Sequence, residues 1–259
     1  MSGIDPSMLD LPYPDFFQGL TIRRDTNMKT RDTRLRIIPG STISARNEYI
    51  LRVENDLTLD IQQVGPGGLD QSFSDLTETE IHVYLIYSHR RKVVDCIGSA
   101  DPKTPTLPDD FGDHRRIGTW MTDDEGRLRN IHQIGAWFFY DEPLTDYAAA
   151  QEGEWTIQPS LPDGIPLLAV LQVHRELTIE DRNTHTGNLR VEPAYGHGRL
   201  EQGGATNGMN IPIREVNSNM GMLVMSRNLL RVRLSDWRGS HLMFRVETQG
   251  WHDFRLRGE

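Results

Sequence analysis

IHVYLIY (Ile81–Tyr87) and VVDCIGS (Val93–Ser99) are the stretches whose reading decides the fold. Apolar residues there recur with the period of two that marks a strand, because successive side chains of a strand point to opposite faces. The same alternation recurs on either side. Before these stretches it occurs at Thr33–Ile38, Tyr49–Glu54 and Leu57–Gln62, and the pair itself spans Glu80–Tyr87 and Arg91–Ile97. After it come Arg115–Trp120, Arg127–His132, Gly135–Tyr140, Leu167–Leu177, Asn188–Glu192, Met222–Met225, Asn228–Leu234, His241–Glu247 and Trp251–Arg257. Turn clusters such as Asn55-Asp56, Asp123–Gly126 and Ser235–Ser240 separate them. Many short strands with Gly/Pro punctuation predict an all-β chain, an antiparallel sandwich or jelly-roll-like fold with long loops and little helix.

One short helix is expected over Leu144–Gln151 (LTDYAAAQ), with Thr145 as its N-cap. Leu167–Leu177 (LLAVLQVHREL) also fits a helix, but the apolar run after Pro166 and the poor caps favour a strand. Three long loops are expected: Gly65–Glu78, Ser99–Asp113 with three prolines, and Tyr195–Asn210 with five glycines. Loops of that length in a compact domain carry function or lack order. No internal repeat and no heptad run is present.

The chain has 259 residues and a net charge of −9, and no apolar run approaches the ~20 residues of a membrane span. The acidic balance argues against direct nucleic-acid binding, which calls for a basic patch. The N-terminus (MSGIDPSMLDLPYPDFF) lacks the order of a signal peptide and reads as an acidic, aromatic arm over residues 1–32. Cys96, the single cysteine, excludes an internal disulfide and reads as a small buried hydrophobe. Three of the 28 basic residues are lysine and the rest arginine. That bias suits planar Arg–carboxylate pairing between subunits, and it also follows from a GC-rich genome.

No catalytic or cofactor motif emerges. GPGGLD (Gly65–Asp70) lacks the spacing of a phosphate-binding loop, and its Gly67 and Gly68 are expected to supply a tight positive-φ bend. Asp124 and Gly126 are read as turn residues, and Asp123, Asp124 and Glu125 are contiguous and cannot converge on one calcium ion. The nine histidines show neither H-x-x-x-H nor H-x-H spacing. No G-x-S-x-G is present, and no repeat supports a β-helical polysaccharide hydrolase. The expectation is a non-enzyme without metal or cofactor. Aromatic residues stand out instead, with Trp120 and the Trp137–Tyr140 run followed by Trp155, Trp237 and Trp251. They read as core or interface, and an exposed Trp/Tyr patch would make a sugar platform.

Taken in order, GPGGLD, IHVYLIY, VVDCIGS, PTLP (Pro105–Pro108), RRIG (Arg115–Gly118), TDDEG (Thr122–Gly126) and QIGAW (Gln133–Trp137) resemble a module of tailed-bacteriophage virion proteins, chiefly tail fibres and other tail-associated proteins. Thr248–Arg255 fits the T-x-GW-x-D-x-R strand that commonly closes that module. The resemblance implies a β module over 33–142 and a second β region over 143–259 whose closing strand returns to it. It also implies a virion location after assembly in the host cytoplasm, in a tail- or collar-associated fibre or adaptor. Capsid decoration, a head fibre and a carbohydrate-binding receptor module are the alternatives. Expected partners are other virion proteins of the tail, collar or portal-proximal region and further copies of the chain, a trimer by analogy, with no membrane. Candidate contact residues are Tyr13, Phe16 and Phe17 in the arm, with Arg115, Arg116, Trp120, Trp137, Phe139 and Trp251.

Overall fold

The computed structural model describes residues 17–46, 48–149, 153–177, 186–193, 209–212, 217–224, 229–238 and 242–254. Tyr13, Phe16 and most of the Tyr195–Asn210 loop lie outside them. The described chain is all-β, with several antiparallel sheets and no closed barrel. It divides into two compact units. One runs up to Phe138 and takes in Asp253; the other is Phe139–His252.

The first unit opens with β1 (Phe17–Gln18), β2 (Thr21–Arg24), β3 (Arg34–Ile38), β4 (Gly40–Ile43), β5 (Ile50–Val53) and β6 (Leu57–Asp60). They make two three-stranded sheets, β1-β4-β5 and β2-β3-β6. Residues 17–18 and 21–24, assigned to the arm by sequence, are thus paired strand: Phe17 faces Thr42 and Ile22 faces Ile37. Alternation is visible in β3, where Leu35 and Ile37 are buried between partly exposed Arg34, Arg36 and Ile38. β7 (Gly68–Leu69), β8 (Glu80–Ser88), β9 (Val93–Ser99) and β10 (Asp113–Met121) form a third sheet, ordered β10-β8-β9-β7. β7 runs parallel to β9; the other pairs are antiparallel.

β8 is central, which is why Ile81 to Ile86 are all buried rather than alternating. Leu59, Leu69, Ile81 and Gly98 crowd together on one face: a Cβ on Gly98 would lie 2.7 Å from Leu69 and 2.8 Å from Ile81. The other face carries Tyr84, Ile86 and Ile97, and the loop before β10 brings Phe111 and Leu107 onto them. That proline-containing loop is therefore part of the unit's own packing. Tyr84 donates to the Asp101 carbonyl at 2.8 Å, and Asp70 accepts the Thr106 N–H at 2.9 Å.

β11 (Ile131–Ile134) follows, and the chain leaves the first unit within β12 (Trp137–Ala149). The helix expected over Leu144–Gln151 is not formed, because Leu144–Ala149 continue this strand. Local alanine preference is weak against cross-strand bonding. The Thr248 hydroxyl and the Ser160 N–H both donate to Asp146, at 2.6 and 2.8 Å, and Tyr147 packs on Trp155 with centroids 5.2 Å apart. Leu167–Leu177 is a strand, as its short apolar run predicts.

The second unit adds β13 (Gly153–Ile157), β14 (Leu167–Leu177), β15 (Thr186–Pro193), β16 (Met209–Pro212), β17 (Asn217–Val224), β18 (Leu230–Arg238) and β19 (Leu242–Asp253). The sheets here are ordered β11-β12-β19-β14-β17 and β13-β18-β15-β16. Leu167, Ala169, Leu171 and Val246 are fully buried within it.

Candidate functional site

RRIG sits on β10, where the register shifts between Arg116 and Gly118. Such a bulge re-aims the side chains beside it. Arg116 there reaches Asp253 of the closing motif, 137 residues away, through two hydrogen bonds of 2.8 and 3.0 Å. The guanidinium is 12% exposed and the carboxylate 0%. Planar guanidinium matches planar carboxylate, so the pair fixes orientation as well as charge.

The network continues inward. Arg116 donates to the Thr119 hydroxyl at 3.3 Å, and that hydroxyl lies 2.9 Å from His82 Nδ1 on β8. Burial holds the His82 imidazole down at about 3, with the Arg116 charge adding to the effect. His82 is thus neutral near pH 7 and is a fixed hydrogen-bonding wedge. Trp120 is completely buried, and its indole N–H donates to the Arg129 carbonyl at 3.0 Å.

A second cluster lies where β8 ends. His89 Nε2 is 2.7 Å from Asp113 Oδ2, and the Asp113 side chain is 2% exposed. The His89 ring packs edgewise with Tyr49 and Tyr87, at centroid distances of 4.8 and 5.0 Å. Arg91 lies over the Phe111 ring at 4.9 Å. Asp113 thereby orients a partly exposed histidine between two tyrosines.

The sequence-derived contact residues fall into two groups. Trp120, Trp251 and Arg115 are corrected to interior positions, because they are 0%, 0% and 8% exposed and offer no surface to a partner. Trp251 packs edgewise on Tyr140 at 5.6 Å. Arg116 is committed to Asp253. Trp137, Phe139 and Phe17 keep partly exposed rings. Many other arginines are also taken up within the chain: Arg24 with Asp32, Arg34 with Asp60, Arg36 with Asp56, and Arg127 with Asp123.

One turn assignment is corrected, at Gly68, and the other holds, since Gly126 has the positive φ of 73° expected of its turn. Gly67 has a positive φ of 79°, whereas Gly68 is required by space, since a Cβ there would meet the Gln63 carbonyl oxygen at 2.4 Å. In TDDEG the organising carboxylate is Asp123, which accepts the N–H groups of Glu125 and Arg127 at 3.0 and 2.8 Å. Sequence reasoning missed Thr119, Asp113 and Asp70, and read His82 only as a hydrogen-bonded strand histidine. The available signal was a polar residue inside an apolar strand, or an aspartate at a loop-to-strand boundary.

Chemically, these networks hold elements together. Burial pushes the Cys96 thiol far above its usual range. Among the described residues no group of three His, Cys, Asp or Glu is arranged to hold a metal ion. No family model and no curated protein matches the chain.

Proposed function

We propose that this chain is a structural component of a tailed-bacteriophage particle, a tail- or collar-associated adaptor or short fibre that acts by assembly and not by turnover. The observation that carries the reading is the Arg116–Asp253 pair. Its residues belong to RRIG and to the closing T-x-GW-x-D-x-R strand, two separate signatures of the motif series that resembles the phage module. A chance likeness scattered along a chain gives no reason for two distant signatures to meet in one buried ion pair. The networks around it support the same reading, since they rigidify a β scaffold and keep His82 and Cys96 away from any substrate. Such a scaffold works through repeated contacts, each modest, that multiply when copies are arrayed on a particle.

Immunogold electron microscopy of intact particles, with immunoblots of purified and disrupted particles, tests this. Label at the tail or neck is expected. Label over the capsid would replace the tail assignment with head decoration. Absence from both intact and disrupted particles would overturn the proposal.

A further inference from the structure

Sheet edges are open hydrogen-bonding surfaces, and proteins blunt them with charge, proline or short length. Most edges among the described residues follow that rule. β2, β5, β6, β10 and β13 each carry at least one Arg, Asp or Glu, and β16 ends on Pro212. β1, β7 and β11 have two to four residues. β17 is the exception. It is eight residues long and reads NSNMGMLV, with no charge and no proline. It pairs with β14 at every position from Leu167↔Val224 to His174↔Asn217, and among the described residues no strand lies along its other side.

We infer that β17 is an assembly edge that pairs antiparallel with β17 of a second copy of this chain. The inference rests on the reading that copies of the chain assemble, and it names the surface. Two features select a second copy as the occupant. A chain of net charge −9 repels a second copy of itself, and β17 is a stretch with no formal charge to oppose its own image. Antiparallel pairing of a strand with itself also satisfies two-fold symmetry, the commonest in homo-oligomers. Gly221 lies in the middle of β17, opposite Val170. A glycine inside a strand weakens it alone and marks where another backbone comes close. A two-fold axis through Gly221, perpendicular to the sheet, sets Asn219 opposite Leu223 of the partner twice. It also turns the five-stranded sheet that β17 borders into a continuous ten-stranded one.

The test is the mass of the full-length chain in solution, by light scattering and sedimentation. The wild type is expected to be a dimer or a multiple of one. Asn219→Lys with Leu223→Lys places like charges opposite each other and is expected to give a monomer with unchanged circular dichroism. Asn219→Lys with Leu223→Glu places opposite charges there and is expected to restore the larger species. A monomeric wild type, a double-lysine variant of unchanged mass, or a Lys/Glu variant that stays monomeric would each overturn the inference. A chain that is found on particles yet is monomeric in solution overturns this inference and leaves the assembly reading standing.

Discussion

Removing Arg116 tests the closing of the first unit most directly. Arg116→Ala leaves the Asp253 carboxylate, 0% exposed, without the two hydrogen bonds and the positive charge that compensate its burial. Breaking a buried pair from one side costs about 3–5 kcal/mol, because the remaining charge is stranded in a low-dielectric site. A unit of this size loses roughly 3 °C of Tm per kcal/mol, so a fall of about 10–15 °C is expected. The loss should appear in thermal unfolding followed by circular dichroism, which also reports whether the two units melt together. Arg116→Lys keeps the charge but loses the fork, and should fall between the wild type and alanine. Arg116→Met with Asp253→Leu removes both charges, and should recover most of the loss that either single change causes. A fall of less than about 1 kcal/mol for Arg116→Ala would refute the reasoning, because the pair would then behave as an exposed one. So would a double variant as unstable as the sum of the singles.

Three further outcomes are expected. His82 is neutral in the folded chain down to about 3, while the unfolded chain takes up its proton near the ordinary 6.5. The unfolded state therefore binds the extra proton between those values, and acidification below pH 6.5 costs up to about 1.4 kcal/mol per unit; His82→Gln should flatten that acid limb in denaturant titrations, and an unchanged slope would sink the assignment. Gly68→Ala drives a Cβ onto backbone at 2.4 Å, at or above the upper end of the overpacking range of about 1–3 kcal/mol. Gly126→Ala meets its nearest atom at 3.6 Å and carries only the positive-φ strain of about 1 kcal/mol, so Gly68→Ala should have the lower Tm, and the reverse order would refute the contact argument. Cys96 should resist thiol reagents in the folded chain and react fully on unfolding, and rapid native labelling would contradict its burial.

The sequence by itself determined the strands and the class. Period-two alternation, as at Leu35 and Ile37, is a local property of the backbone and needs no partner to be read. What each strand pairs with is not local. Nothing in GPGGLD announces that Gly68–Leu69 runs parallel to β9, or that Asp70 pins the Thr106 amide. LTDYAAAQ reads as helix by propensity, yet Leu144–Ala149 are strand, where Asp146 accepts from Ser160 and from Thr248, 102 residues away. The contact residues divide in the same way. Tryptophan is apolar enough for a core and polar enough for an interface, so Trp120 and Trp251 could be placed only once the sheets that cover them existed. RRIG and the closing motif were both legible as text. That they meet at Arg116 and Asp253 was decided by tertiary structure, because a bidentate ion pair depends on distance and angle, and sequence separation encodes neither.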